Sequence, residues 1–194
     1  VKNNKFEFKF NKKKTKINNP KLNGLYQLEN ASVALAFLEI MKEQKLKTSF
    51  RKTDAAIKNT LWPGRLEILE YKKKKIILDG SHNIDGAKKL KDYLKFKKLK
   101  PIVIFGMLNN KKLYTFLSII KNQVKILLAI KIPEENNAFE SEVIINKCNL
   151  HSIKSLKIKD INQILRYIRN SEEKVFLVTG SLYLVGKIRN RFIN

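Results

Sequence analysis

Apolar residues follow two different rhythms along this chain. Near the start, Phe6, Phe8 and Phe10 alternate with polar residues, the period of two that gives a strand one apolar face. Residues 1–20 read as that strand followed by a polar turn around Asn18, Asn19 and Pro20. The period then lengthens. Ala31, Ala34, Leu35, Leu38 and Met41 recur at helical spacing behind Asn30, whose side chain suits an N-cap. This stripe reads as core packing. A shorter helix is expected over 51–59, with a linker near 47–53.

From Trp62 onward the pattern becomes regular. A turn carrying Arg65 leads into a short strand, a lysine-rich bend and a second strand at Ile76, Ile77 and Leu78. Further strands are expected at 102–105, 124–130 and 175–178, with an edge strand at 153–158. Between them lie helical spacings at 85–94, 113–121, 139–147 and from Ile161 to Ile168, and a last helix at 182–191. Apolar, non-alternating strands separated by amphipathic helices predict an α/β fold, a Rossmann-like and mostly parallel sheet with helices on both faces.

Three strand ends carry the polar chemistry: Asp79-Gly80-Ser81-His82-Asn83, Gly106 through Lys111, and Thr179-Gly180-Ser181. In a parallel sheet these ends share one edge, where open α/β sheets bind ligands. Glycines there permit tight turns, and the helix that follows offers free N–H groups to an anion. Asp79 could accept from a ribose hydroxyl, hold a cation or cap the next helix. His82 could contact a ligand or steady its turn, and Ser181 could do the same or cap a helix. Arg65, in a rigid turn after Pro63 and Gly64, could stack on a base, pair with phosphate or form a surface salt bridge. No G-x-S-x-G elbow, G-x-G-x-x-G fingerprint or G-x-x-x-x-G-K-[ST] loop occurs. If ATP is bound, its phosphates must be held mainly by residues outside this chain.

Composition narrows the classes. The 194 residues are 43% hydrophobic, enough for one core and an extra piece. The single cysteine, Cys148, excludes an internal disulfide and fits a reducing, cytoplasmic compartment. With His151 it makes two potential ligands, which is no zinc site. No apolar run approaches the roughly 20 residues of a membrane span, and the start lacks the apolar core of a signal peptide. The chain does not begin with methionine and reads as entry into the middle of a fold. Its formal charge is +24, from 41 Lys plus Arg against 17 Asp plus Glu, so nucleic acid must be considered. The excess is mostly lysine spread beside many Asn and Ile, the look of a coding bias. No helix–turn–helix, zinc finger or aromatic RNP pattern accompanies it. Lys72, Lys73, Lys74 and Lys75 are expected to be solvated in a hairpin bend, and nucleic acid is not the expected partner.

Four motifs in order resemble the C-terminal part of the folylpolyglutamate and dihydrofolate synthases of the Mur ligase superfamily. L-x-G-x-H-Q-x-x-N-A corresponds to Leu22–Ala31, with Tyr26 for histidine. W-P-G-R-L-E is Trp62–Glu67 unchanged. L-D-G-A-H-N-P-x-G-A corresponds to Leu78–Ala87, with Ser81 for alanine and Ile84 for proline. V-T-G-S-L-Y-L-V-G is Val178–Gly186 unchanged. A further family D-K-D reads Asn110-Lys111-Lys112 here. The likeness covers nearly the whole chain.

The resemblance implies a tail of the central ATPase domain at 1–48, a linker and short helix at 49–61, and a C-terminal domain at 62–194. It implies part of an ADP-forming ligase of folate biosynthesis and one-carbon metabolism. Such an enzyme activates a folate or dihydropteroate carboxylate with ATP as an acyl phosphate, which the amine of L-glutamate then attacks. Asn30, Arg65 and Asp79 match ATP-contacting positions, and His82 and Ser181 match positions that seat glutamate. The phosphate loop and the Mg2+ ligands belong to an N-terminal ATPase domain, present in cis or in trans. No catalytic or metal-binding residue is therefore assigned in this chain, which is expected to be inactive alone. The alternative is a non-catalytic nucleotide- or anion-binding module.

Overall fold

A computed structural model of the chain describes residues 4–45 and 47–193. They fall into two units, Val1–Trp62 and Pro63–Asn194.

In the first unit, β1 (Lys5–Phe10) and β2 (Lys13–Asn18) form an antiparallel hairpin, with Phe6 opposite Ile17 and Phe8 opposite Thr15. The chain reverses at Asn11, whose φ of 51° suits asparagine better than most residues. The expected single strand is thus two. The second was hidden because KKTKIN holds one strongly apolar residue, Ile17, which is the one it buries. Two helices follow, α1 (Tyr26–Glu43) and α2 (Phe50–Asn59). Ser49 caps α2 by accepting from the Lys52 N–H. Asp54 of α2 holds the end of β2, accepting from Asn18 N at 2.7 Å and Asn18 Nδ2 at 2.5 Å. Phe8, Ile17 and Leu35 make the core, with Phe6, Phe10, Ala36 and Ile57 packed against it.

Asn30 is not an N-cap. The helix begins a turn earlier, at Tyr26, with Glu29 in its first turn, where an acidic side chain complements the helix dipole. Leu25 takes the cap position without a side-chain bond, and Asn30 donates from Nδ2 to Gln27 Oε1 at 2.9 Å.

The second unit is built on one six-stranded sheet. Its strands are β3 (Glu67–Tyr71), β4 (Lys74–Leu78), β5 (Ile102–Phe105), β6 (Ile126–Ala129), β7 (Ser155–Lys157) and β8 (Val175–Thr179). Their spatial order is β3-β4-β8-β5-β6-β7. Only the β3–β4 hairpin is antiparallel; the other pairs run parallel. Four helices connect them, α3 (Ile84–Phe96), α4 (Leu113–Ile120), α5 (Ser141–Asn149) and α6 (Ile161–Asn170), and α7 (Leu182–Arg189) follows β8. The strands alternate faces residue by residue. Ile76, Leu78, Ile104, Phe176 and Val178 pack with Ile164 and Ile168 of α6 and Leu184 and Ile188 of α7. On the opposite face Phe105 meets Phe116 of α4, ring centroids 5.4 Å apart. Burial on both faces explains why these strands show no alternation in sequence. The expected mostly parallel, doubly covered sheet is what the chain forms.

The lysine-rich bend is only half solvated. Lys72 and Lys73 are exposed at the hairpin tip, with φ of 50° and 61°. Lys74 instead is buried. Its Nζ donates to the carbonyls of Ile168, Arg169 and Ser171 at the end of α6, and lies 5.8 Å from the centroid of the Phe176 ring. A helix end leaves carbonyls without intrahelical partners. One ammonium satisfies three of them, so its burial is compensated.

Candidate functional site

The position of β8 builds the site. The chain lays β5, β6 and β7 progressively outward from β4, then returns to insert β8 between β4 and β5. The carboxyl ends of β4, β8 and β5 therefore adjoin. Asp79 leaves β4 bonded through its N–H to Val178 O at 2.9 Å. Gly180 leaves β8 and donates to Ser81 O at 3.0 Å, and the same carbonyl accepts from Thr179 Oγ1 at 3.5 Å. Gly180 has φ of 99°, and a Cβ there would lie 2.5 Å from Gly106 O. Only glycine lets the end of β8 approach the end of β5 this closely.

The arginine turn is laced to the same rim. Gly80 N donates to Gly64 O at 2.8 Å, and Leu66 N donates to Asp79 Oδ2 at 3.1 Å. Asp79 Oδ1 accepts from Ser81 N at 3.1 Å. Asp79 is 1% exposed, and burial pushes its carboxyl above the ordinary range, opposed by the Ser81 hydroxyl, the Ser81 and Leu66 N–H groups and the nearby Arg65 charge. Asp79 thus fixes the residues on either side of it in space, and with Leu66 it fixes Arg65. It does not cap α3; Asn83 does, accepting from Gly86 N at 2.8 Å.

Arg65 is half-buried, and no carboxylate among the described residues lies within ion-pair distance of it. Its neighbour in the motif, Glu67, behaves otherwise. Glu67 accepts from Gly64 N at 2.9 Å and takes a two-pronged pair from Arg189 of α7, with Nε–Oε2 at 2.9 Å and Nη2–Oε1 at 2.9 Å. Burial raises the Glu67 carboxyl, but the bonds from Arg189 and Gly64 outweigh it and hold the group below its ordinary range. The sequence reading assigned Glu67 no part. Its signal was only its place inside W-P-G-R-L-E, since the partner lies 122 residues away.

His82 is half-buried, with Nδ1 2.8 Å from Gly80 O. A carbonyl can only accept, so Nδ1 carries the hydrogen and Nε2 is left for a ligand. Ser181 is buried and caps α7, its Oγ accepting from Tyr183 N at 3.1 Å. A hydroxyl that accepts in this way keeps its O–H to donate. The third strand end reaches the same edge. Leu108 bridges Ala138, Asn109 N donates to Asn137 O at 2.8 Å, and Lys112 starts α4 without a side-chain cap. Among the predicted site residues, the sheet brings Arg65, Asp79, His82 and Ser181 to one rim, while Asn30 belongs to the first unit.

Cys148 is buried on α5, and burial pushes its thiol up to about 11, despite a bond from the Ser155 side chain that opposes the shift. His151 turns away to Tyr114 O at 3.0 Å. Among the described residues, no group of three or more potential metal ligands is present, and no helix is long and apolar enough to cross a membrane.

A doubly wound sheet with polar, glycine-bearing strand ends meeting beside a central strand defines a ligand-binding α/β domain. The match with known proteins narrows this: the chain belongs to the Mur ligase, glutamate ligase domain family, whose model matches residues 64–182. The dihydrofolate synthase/folylpolyglutamate synthase of Bacillus subtilis is 26% identical over 96% of this chain and 44% of that protein. The folylpolyglutamate synthase of Thermotoga maritima shares the fold with a TM-score of 0.71 and 28% identity, over 92% of this chain and 41% of that one. The E. coli FolC structure with DHPP and ADP superposes with a TM-score of 0.81 at 19% identity, over 98% of this chain and 44% of that one. The chain thus spans less than half the length of these relatives. Its resemblance to the C-terminal part of folylpolyglutamate and dihydrofolate synthases holds.

Proposed function

We propose that this chain is the C-terminal portion of an ATP-dependent ligase joining L-glutamate to a folate or dihydropteroate carboxylate through an acyl phosphate. One observation carries the reading. Three motifs far apart in sequence, around Arg65, Asp79 and Ser181, are hydrogen-bonded into a single rim at the carboxyl edge of the sheet. In this reading residues 1–48 are the tail of the central ATPase domain, 49–61 a linker and short helix, and 62–194 the C-terminal domain. The face of α1 bearing Val33, Phe37 and Ile40 is exposed, as a helix taken from a larger core would be.

ATP supplies the phosphoryl group that activates the carboxylate. Among the described residues no carboxylate lies within ion-pair distance of Arg65, which leaves its guanidinium for the nucleotide. Asp79 holds the Arg65 turn, and its two oxygens retain acceptor capacity for a ribose hydroxyl. Asn30 is assigned to the nucleotide by its match to a family position that contacts ATP. The Ser181 hydroxyl donates to a glutamate carboxylate, and His82 Nε2 orients the same substrate. Held there, the amine attacks the acyl carbon as phosphate leaves, with water excluded. The phosphate loop and Mg2+ ligands come from the N-terminal ATPase domain, in cis or in trans, and the chain alone is inactive.

The test is glutamate- and folate-dependent ADP release by the protein at its full native length. Arg65→Ala should raise the apparent KM for ATP about tenfold, and His82→Ala that for glutamate about tenfold, each equivalent to roughly 1.4 kcal/mol. Unchanged values for both substrates would overturn the roles. Substrate-dependent ADP release by residues 1–194 alone would overturn the claim of inactivity.

A further inference from the structure

The sheet has a second edge, and its charge is lopsided. Because β4 to β8 run parallel and the β3–β4 hairpin closes at the start of β4, the segments entering the strands lie along one amino-terminal edge. Those loops are 72–73, 97–101, 121–125, 150–154 and 171–174. Together they hold nine lysines, all exposed, against two glutamates, Glu172 and Glu173. Glu173 is already paired, to Lys125 at 2.5 Å. The carboxyl-edge segments are 63–66, 79–83, 106–112, 130–140, 158–160 and 180–181. They hold five Lys or Arg against five Asp or Glu. Lys131 there is paired with Glu140 at 2.5 Å, and Glu134 with Lys187 of α7 at 2.5 Å.

A coding bias toward lysine would load both edges alike. It does not produce one edge with a net charge near +7 and another near zero within a single domain. The basic edge runs across six strands spaced about 4.8 Å apart, so it is a ribbon roughly 24 Å long rather than a point. Phe96 stands at its rim, 67% exposed, between Lys95 and Lys97, with Lys97 Nζ 5.5 Å from the ring centroid. A run of cations beside an exposed aromatic ring has the two parts that single-stranded nucleic acid needs: charge for phosphates and a face for a base.

We propose that the amino-terminal edge of this sheet binds single-stranded nucleic acid, through Lys98, Lys100, Lys121 and Lys154 on the backbone and Phe96 under a base. The surface lies at the opposite edge from the ligase rim and does not rest on the ligase reading.

The test is fluorescence anisotropy of a labelled 20-nucleotide oligouridylate titrated with residues 1–194. Four phosphates neutralised on a single strand give a salt slope near −2.8, so affinity should fall about 50-fold between 50 and 200 mM salt. Lys98→Glu with Lys121→Glu should weaken binding at least tenfold at 50 mM salt, and Phe96→Ala about fivefold. The matched control, Lys111→Glu with Lys112→Glu at the carboxyl edge, makes the same change in net charge and should weaken it less than twofold. Circular dichroism of each variant confirms folding, which these exposed positions do not threaten. No binding at 50 mM salt overturns the proposal. Equal weakening by the two double variants also overturns it, because net charge alone would then suffice. Capture by phosphatidylserine vesicles without oligouridylate binding overturns it in favour of a membrane surface.

Discussion

Asp79 does at residue scale what the rim does as a whole. Its carboxylate receives the Leu66 and Ser81 N–H groups while shut away from water. Asparagine in its place presents an NH2 to one of these donors and leaves a buried N–H unmatched. Asp79→Asn should cost about 1–3 kcal/mol, read as a lower urea midpoint at pH 7 with the m-value unchanged. The pH dependence has a definite sign. Burial raises the folded-state pKa above its ordinary value of 3.8. The folded chain therefore binds this proton more tightly than the unfolded one, and the contribution of Asp79 declines as pH rises through 3.8 to the raised value. In Asp79→Asn that segment of the stability–pH curve should flatten. A midpoint and pH profile matching the unsubstituted chain would refute the account.

Gly80 makes a second prediction at this scale. A Cβ there would lie 2.1 Å from Leu182 Cδ2. Gly80→Ala should destabilise by about 1–3 kcal/mol through overpacking, and adding Leu182→Ala should recover part of that loss. Thermal melts of the two single variants and the double variant complete the cycle. Strict additivity would deny the contact.

At the scale of elements, the β3–β4 hairpin stores a local conflict. Lys72 and Lys73 both take left-handed backbone, the demand of a turn that favours Asn-Gly. Lys72→Asn with Lys73→Gly should stabilise the chain by about 0.5–1 kcal/mol, visible as a higher melting temperature. Neither exposed lysine makes a contact whose loss would offset this, whereas Lys74, which ends α6, must be kept. These neighbours read alike in sequence. Lys74 differs because β4 carries it onto the face covered by α6, nearly a hundred residues further along. The N-cap at Ser181 was suspected because capping is local, whereas those at Asn83 and Ser49 came only with the structure. The start of α1 was misplaced at Asn30 because Leu25 caps without a side-chain bond and leaves no signature.

At the scale of the molecule, the two units differ in how well each is packed. The first rests on Phe8, Ile17 and Leu35 and leaves Val33, Phe37 and Ile40 of α1 exposed, while the second has a sheet covered on both faces. Amide hydrogen exchange should therefore find β1, β2 and α1 exchanging at least tenfold faster than β5 and β8. Equal protection in the two units would contradict that difference.

The sequence by itself determined the alternation of strands and helices from Trp62 onward, the parallel sheet and the motif residues Arg65, Asp79, His82 and Ser181. Each of these is written in local periodicity or in contiguous motifs. Only the tertiary structure decided that β8 enters between β4 and β5, that Glu67 answers Arg189, that Lys74 is buried, and that lysines from five separate loops line one edge. Strand order and long-range pairing depend on which surfaces meet after the chain collapses, and no window of neighbouring residues contains that information.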